Sequence, residues 1–582
     1  MYKRIMILLL AAAMLLPYGC KKKPVDTGTP ITSEEFSALT LEWFKEDVSS
    51  DPFDLHFALV HPEKLGITEL KTSLGELEDE TGEEELKERI QKLEGMSLAQ
   101  LTDDQKLAHA SMLAMYRNEL DWHELEDSYD FVFTPNRGVN NNLITAFTEF
   151  VPRNEEEVVQ LIELVKDSKR YFDECIDYTR EQFEDGIVQT DSVIDDTLDS
   201  LERFISKKED NEVIRVFNTN LEELNLDKEA EYKAQMKDAV LNYLIPAYEG
   251  AISMYKEIRG SGKAKGALSN YGEEGKRYYE LIFRDASSSA KSVSEWEKLL
   301  KKTVEDLIDE EISFARKNYS AYLTWANDEY SYGMDEAYEI FTALKQNLVA
   351  DFPAYPEVDY TINYLDPSVA SENVAAYYLI APYDDMGSVN VVKANPAYGK
   401  DNPNDYVVTL AHEGYPGHLY QTTYYFTNHP DAAIRYALDF SGYTEGWAMY
   451  VEDYAMSYFS ENEKIAYLDQ LDNRINYYLE AYFDILINYE GYSVDEVAAE
   501  MERMGLNASV AEPITNTLLG DPGMFAPYAI GLYEMTRLRD MAKKKLGSSF
   551  DPIEYHKVIL DTGATTFEIL EEEINKYLKA KK

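Results

Sequence analysis

The chain has 582 residues, of which 45% are hydrophobic and 13% aromatic, so it can bury a large core and is not a disordered segment. Lys and Arg total 56 against 108 for Asp and Glu, which gives a formal net charge of -52. A surface with this charge repels polyanions, and the sequence therefore argues against nucleic acid as a partner.

The first residues, 1–20, have the pattern of an export signal. MYKRIMILLLAAAMLLPYGC has a basic start, an apolar run over 5–16, and ends at Cys20. The run is shorter than the ~20 residues of a membrane span, so we interpret it as a cleaved signal. Its end resembles a bacterial lipobox, although Pro17 and Tyr18 depart from the usual pattern. The resemblance implies that Cys20 is lipidated and holds the protein on the extracytoplasmic side of a bacterial cell membrane.

The segment after this signal is predicted to be a flexible tether. KKKPVDTGTPIT, residues 21–32, is rich in Lys, Pro, Thr and Gly. The folded part is expected to occupy 33–582. Lipidation would leave Cys175 as the other cysteine of the two in the chain, so stability must come from the core and not from an intramolecular disulfide.

Long amphipathic patterns dominate the chain after the tether. Apolar residues recur in them at spacings of three and four, the period of one face of an α-helix. Examples are EEFSALTLEWFKED at 34–47, EEEVVQLIELVKDSKRYFDECIDYTREQFEDG at 155–186 and SVSEWEKLLKKTVEDLIDEEISFARKNY at 292–319. The sequence predicts a large, mainly α fold. Sequence patterns typical of β-strands are scarce. The segment SVNVVKAN at 388–395 has such a pattern and predicts one small β-sheet near the motif described below.

No internal repeat of fixed period is found, so one large unit is the simplest interpretation. Turn-forming clusters at 259–265 (RGSGKAK) and 396–403 (PAYGKDNP) suggest where it could divide. We expect a possible N-terminal helical lobe over 33–262 and a C-terminal lobe over 263–582 that carries the chemistry.

Two of the eight histidines lie in the segment TLAHEGYPGHLYQ, where His412 and Glu413 precede His418. In the metalloprotease arrangement H-E-x-x-H, histidines four residues apart share one helix face and reach one zinc ion. Here the spacing is six residues. In a regular helix that step rotates by roughly 600°, which leaves the imidazoles about 120° apart.

The residues between the two histidines can break the helix and so change the relative direction of the two imidazoles. Pro416 lacks an N–H and would clash with a helical carbonyl, while Gly414 and Gly417 accept unusual torsions. A kink or bulge is therefore expected, and it could return His418 to the face of His412. Two histidines at a helix break, with no metal, would also fit this segment.

The segment resembles the H-E-x-x-P-G-H motif of the DUF885 family, bacterial proteins that are often lipoproteins and are similar to gluzincin zinc peptidases. The matching residues are His412, Glu413, Pro416, Gly417 and His418. Downstream, TEGWAMY matches the E-G-W-A-x-Y block of the family, and Glu445 stands there where a gluzincin has its third protein ligand. The C-terminal residues that match the family are Pro522, Tyr528, Gly531, His556, Leu560 and Gly563.

One block departs from the family pattern. Many relatives have an Asp, then a His and a Trp, where this chain has Asp484, Asn488 and Tyr492. We expect this change to affect substrate preference more than the metal site.

The resemblance implies a site in which His412, His418 and Glu445 bind Zn2+ and leave one position for water. Two histidines and a carboxylate would also bind other transition metals. Glu452 and Asp453 follow on the same predicted helix as Glu445. Either could compete with Glu445, or instead orient a ligand histidine from behind, as metal sites commonly require.

The resemblance also assigns catalytic roles. Glu413 would act as general base and take a proton from the attacking water. Tyr528 and His556 would donate hydrogen bonds to the oxyanion that forms from the substrate carbonyl. The protein is therefore predicted to be a zinc metallopeptidase that binds and cleaves peptide substrates. Short, flexible peptides are expected to be preferred.

Two other functions stay open. The chain could be an exported binding lipoprotein on an inactive zincin scaffold, but it retains Glu413, which such a protein would be free to lose. It could also hydrolyse another amide or an ester, because zinc-bound water attacks any suitable carbonyl.

Overall fold

The computed structural model describes residues 28–77, 82–125, 129–365 and 374–581. The fold is mainly helical with small β-sheets, which confirms the predicted class. The predicted signal and the lipidation site Cys20 lie outside the described residues. Within the described ranges, no helix has the length and apolar character needed to cross a membrane.

The α-helices are numbered in chain order. Helices α1 to α8 are Ser33–Val48, Pro52–Ala58, Gly82–Glu94, Asp103–Trp122, Val139–Glu149, Glu155–Asp185, Asp191–Ser206 and Glu212–Leu224. Helices α9 to α16 are Glu229–Ala239, Ile245–Ile258, Glu273–Ser287, Val293–Lys317, Tyr319–Ala326, Ala337–Asn347, Pro396–Asp401 and Pro403–Glu413. Helices α17 to α24 are His418–Asn428, Ser441–Phe459, Glu463–Asp484, Val494–Met504, Ala511–Gly520, Ala526–Leu546, Pro552–Thr562 and Phe567–Ala580.

The three amphipathic segments singled out in the sequence form α1, α6 and α12. Each begins at a side chain that caps its free backbone N–H groups. Thr32 and Glu35 form a capping box at the start of α1, and Ser292 and Glu295 form another at the start of α12. Helix α6 ends at Gly186, whose φ of 81° is the left-handed conformation that glycine adopts without steric cost.

A small mixed sheet packs beside the histidine motif. In chain order, strands β1 to β5 are Thr29–Pro30, Met96–Ser97, Thr361–Tyr364, Ala376–Leu379 and Val391–Ala394. The sheet beside the motif consists of β3, β4 and β5, while β1 and β2 form a separate pair. The order is β3-β5-β4, with β3 parallel and β4 antiparallel to β5. Strand β5 lies within the predicted segment 388–395, and β4 is an edge strand that contacts α16.

The buried apolar side chains form two cores. The larger joins helices from 36–116 to helices from 268–578, and it surrounds the histidine motif. The smaller is built mainly from 132–258. The smaller core thus covers only part of the expected lobe 33–262. The first helices of that lobe pack into the larger core, together with the C-terminal region. The division of the chain into domains stays a prediction.

Candidate metal centre

The helix that carries His412 ends directly after the motif glutamate, and a new helix begins at His418. The Tyr415–Pro416 peptide between them is cis. The predicted break is therefore present as two separate helices. Gly417 makes the turn possible, because a Cβ there would lie 1.7 Å from the backbone oxygen of His412. Trp447 donates its indole N–H to the Pro416 carbonyl at 2.8 Å and holds the turn in place.

A close crossing of α18 and α22 positions Glu445, the third of the candidate metal ligands. A Cβ on Gly446 would lie 2.4 Å from the Cα of Gly531, so the two helices meet at paired glycines. Glu445 precedes Gly446 on α18, and Tyr528 lies one turn before Gly531 on α22. The glycine pair that matches the family motif is thus explained by packing: it brings a carboxylate and a phenol to the same place.

The side chains of His412, His418 and Glu445 converge. The Nε2 atoms of His412 and His418 are 3.1 Å apart. Glu445 Oε2 lies 3.3 Å from His412 Nε2 and 3.4 Å from His418 Nε2. Ligands of a tetrahedral zinc ion, each about 2.0–2.1 Å from the metal, are separated by roughly 3.3 Å. The three ligand atoms therefore have the spacing that one zinc ion requires.

The charges around this cluster favour a cation. Burial alone would lower the pKa of His412, but the carboxylates of Glu445, Glu452 and Glu413 raise that pKa well above its ordinary value. Burial would raise the pKa of Glu445, but the imidazoles of His418 and His412 lower it. Glu445 Oε2 is a buried atom that has no hydrogen-bond partner among the described residues. The donor set thus fits a divalent metal ion.

Glu452 supports His412 from behind. Its Oε1 lies 2.9 Å from His412 Nδ1, and its Oε2 accepts a hydrogen bond from Asn473 Nδ2 at 2.8 Å. This contact leaves His412 Nε2 to face Glu445 and His418. Asp453, the other residue considered for this role, forms an ion pair with Arg474 instead. Of the two, Glu452 alone contacts a ligand histidine.

Glu413 is held at the edge of the cluster by the sheet. Its Oε2 accepts the backbone N–H of Tyr378, in strand β4, at 2.8 Å. Its Oε1 lies 3.9 Å from His412 Nε2. One carboxylate oxygen is thus fixed by the sheet, and the other faces the metal-ligating atoms.

Tyr528 lies in the wall of a cavity of about 420 Å³ that also contains Glu445. Burial raises the pKa of Tyr528, and the carboxylates of Glu445 and Glu413 raise it further. The hydroxyl therefore stays protonated and is able to donate. The ring stacks on Tyr477, with centroids 6.1 Å apart.

His556 lies in the core and not in this cavity wall. It is fully buried, its Nδ1 lies 2.7 Å from the carbonyl oxygen of Asp351, and its Nε2 lies 2.9 Å from the hydroxyl of Tyr450. Its ring stacks on Phe352. Both ring nitrogens thus have hydrogen-bond partners in the core, and the structure does not bring His556 to the cavity that contains Glu445.

The block that departs from the family pattern supports the cavity wall. Asp484 is fully buried and accepts hydrogen bonds from Asn488 Nδ2 and the backbone N–H of Gly523, each at 2.8 Å. Burial raises the pKa of Asp484 to about 7. Gly523 lines the cavity that contains Glu445. The block is therefore connected to the site through the loop that contains Gly523.

Two partners of the site were missed by sequence reasoning. The backbone N–H of Tyr378 holds the Glu413 carboxylate, and Asn473 holds Glu452. A backbone group carries no residue signature, and Asn473 lies in an ordinary helical pattern. Neither contact has a local signal in the sequence.

The fold and the site define a mainly helical protein with a His-His-Glu cluster that fits a metal ion. The chain belongs to the DUF885 family, which it matches over residues 63–574 and which is described as bacterial protein of unknown function. No curated protein matches the chain.

Two solved structures share the fold. One is a candidate lipoprotein from Colwellia psychrerythraea, with a TM-score of 0.80 and 17% identity, and the match covers 94% of this chain and 100% of that one. The other is a candidate lipoprotein of unknown function from Shewanella oneidensis. Its TM-score is 0.64 at 15% identity, with 93% of this chain and 99% of that chain covered. At these identities the likeness extends to the fold alone.

Proposed function

We propose that this protein is a zinc-dependent hydrolase, and specifically a peptidase. The observation that carries the proposal is the triangle of His412, His418 and Glu445, whose ligand atoms are 3.1–3.4 Å apart. A zinc ion held there would acidify a water molecule and polarise a carbonyl group. Glu413 lies beside the triangle, where a general base is needed.

Each of the other residues of the site has a separate role in the proposed reaction. Glu413 Oε1 accepts the proton of the attacking water, while the N–H of Tyr378 keeps Oε2 in place. The same carboxyl group then gives the proton to the departing amine. Tyr528 donates its hydroxyl hydrogen to the substrate oxygen as that oxygen gains negative charge. Glu452 holds His412 in the tautomer that presents Nε2 to the metal.

The surrounding architecture supports a zincin-like fold. One helix ends in the His-Glu pair, the next begins with the second histidine, and a third carries the acidic ligand. A small sheet contributes a backbone contact to the general base. Export and lipid attachment through Cys20 are part of the same proposal, and they rest on the N-terminal sequence.

Two other functions are distinguished by their chemistry. An exported binding lipoprotein would have no need for the buried contact that orients Glu413. A hydrolase of another amide or of an ester would use the same residues, so only the substrate separates it from a peptidase.

The test is metal content and peptide hydrolysis for wild type and Glu413→Gln. We expect about one zinc per chain in both proteins and a loss of hydrolysis of about 10²–10⁴-fold in the variant. Glu461→Gln, at a site outside the cluster, serves as the control and should keep both properties. Failure of wild type to bind metal after zinc is supplied would contradict the proposal and favour the binding lipoprotein.

A further inference from the structure

Two adjoining cavities lead away from the candidate metal centre. The smaller, about 420 Å³, contains Glu445 and Tyr528, and the larger, about 840 Å³, extends from it. Both fall within the roughly 300–1,000 Å³ that is usual for ligand pockets. The residues that line both cavities are Trp122, Arg137, Ile282 and Pro522. Arg137 thus stands where the two spaces meet.

The walls of the two cavities are otherwise acidic. Besides Glu445, the lining carboxylates are Asp130, Glu181, Asp185, Asp285, Asp439 and Asp521. Among the described residues that line either cavity, Arg137 is the single Lys or Arg. In a chain with a net charge of -52, this cation marks the place where an anionic group of a ligand would be attracted.

Arg137 is held in place through both its backbone and its side chain. Its backbone N–H donates to Thr134 Oγ1 at 3.1 Å and to Asp521 Oδ1 at 3.2 Å. Its guanidinium donates to the carbonyl of Met524 at 3.1 Å, and its charge partly offsets the rise that burial causes in the pKa of the Tyr528 hydroxyl, which lines the same cavity. These contacts restrain the side chain before any ligand arrives, which lowers the entropy that binding would cost.

The guanidinium nevertheless has no ion-pair partner in the described part of the chain. Among the described residues, no carboxylate lies within ion-pairing distance of it, although arginines elsewhere in the chain pair with Asp or Glu. An arginine has five N–H donors in a planar fork, and the hydrogen bond to the Met524 carbonyl uses only part of that fork. The remaining donors match a carboxylate, which accepts two parallel hydrogen bonds from such a fork.

We propose that Arg137 binds the C-terminal carboxylate of a peptide substrate, so that the protein acts on peptides with a free carboxyl end close to the bond that is cut. This inference rests on the peptidase function proposed above. Arg137 lines the smaller cavity together with Tyr528 and Glu445, so a carboxylate bound to Arg137 would lie in the same cavity as the proposed metal ligand. An acidic side chain has the same chemistry and is the other source to be distinguished.

The experiment uses the zinc-loaded protein and three peptides of one sequence. The first has a free C-terminal carboxylate, the second a C-terminal amide, and the third an amide together with an added internal Glu. We expect wild type to cleave the free acid with a kcat/KM about 10- to 100-fold higher than the amide, mainly through KM, since a charge-assisted hydrogen-bond pair has about this effect.

Arg137→Gln removes the charge and should abolish this preference. The KM of the free acid should rise about 10- to 100-fold, toward that of the amide, while the zinc content and the thermal unfolding midpoint of the variant report that it is folded and loaded. Arg137→Lys should restore part of the preference, because lysine supplies charge without the fork. Arg203→Gln, on helix α7 away from both cavities, should behave as wild type.

Several outcomes would overturn the inference. Equal cleavage of acid and amide by wild type would do so, as would an equal loss on both peptides in Arg137→Gln with normal zinc content. Preference for the internal Glu peptide over the plain amide, abolished by the same variant, would assign Arg137 to an acidic side chain instead. Failure of the peptidase function would look different, because wild type would then cleave none of the three peptides.

Discussion

At the scale of single residues, the site depends on which nitrogen of His412 is available. A neutral imidazole has one N–H and one lone pair, and a carboxylate at one nitrogen fixes the proton there. Glu452 lies 2.9 Å from Nδ1, so in the neutral ring the lone pair is on Nε2, the atom that faces His418 and Glu445. Asn473 in turn fixes the orientation of Glu452.

Glu452→Gln should therefore weaken zinc binding without removing a ligand. A glutamine amide can satisfy either His412 or Asn473 with its oxygen, but its NH₂ group then faces another donor. We expect the Kd for zinc to rise about 10- to 100-fold, as is usual when a group that supports a ligand histidine is lost. Competition with a fluorescent zinc chelator measures the change.

The matched control is Asp453→Asn, the adjacent acidic residue. It pairs with Arg474 and not with a ligand, so it should lower the stability of the protein but leave the zinc Kd close to the wild-type value. If both variants weakened zinc equally, the contact between Glu452 and His412 would not be what orients the ligand.

At the scale of elements, the crossing of α18 and α22 determines where Glu445 and Tyr528 lie. Gly446 and Gly531 allow the backbones to touch, and these two helices form the most extensive interhelical contact of the fold. A methyl group at either position would meet backbone atoms of the other helix, and backbone cannot move aside as a flexible side chain can.

Gly531→Ala should push the two helices apart. We expect a loss of about 1–3 kcal/mol in the free energy of unfolding, the usual cost of overpacking, together with weaker zinc binding because Glu445 moves with α18. Urea denaturation and zinc titration on the same samples measure both effects. Gly387→Ala is the control, because a Cβ there meets no atom within 4 Å. Unchanged zinc affinity in Gly531→Ala would show that the crossing does not position Glu445.

The same elements show what the sequence could predict and what it could not. The break between His412 and His418 was predictable because glycine and proline affect the conformation of their own backbone. Helices α1, α6 and α12 were predictable because the spacing of their apolar residues is visible within each segment. The contact of Tyr378 with Glu413 joins residues that are 35 positions apart, and no local rule brings strand β4 to that carboxylate. The catalytic role predicted for His556 rests on motif similarity, which does not show that both ring nitrogens have partners in the core.

At the scale of the whole molecule, the candidate metal centre joins separate parts of the chain. The ligands come from α16, α17 and α18, and all three helices pack into the larger core. The cavities that lead away from the ligands are lined by residues from 122–187 as well as from the C-terminal region. A bound metal ion would therefore stabilise a large part of the fold and not one loop.

Removal of zinc should accordingly lower the thermal stability of the entire protein. A ligand that binds only the native state adds about 2.7 kcal/mol when its free concentration is 100 times its Kd, so chelation should lower the Tm by a few degrees and zinc should restore it. Glu413→Gln should show the same shift, because it lacks only the general base. His418→Ala should show almost none, since it has lost a ligand. Differential scanning calorimetry measures all three proteins. A shift that persisted in His418→Ala would place the stabilising metal elsewhere, whatever the hydrolysis experiments showed.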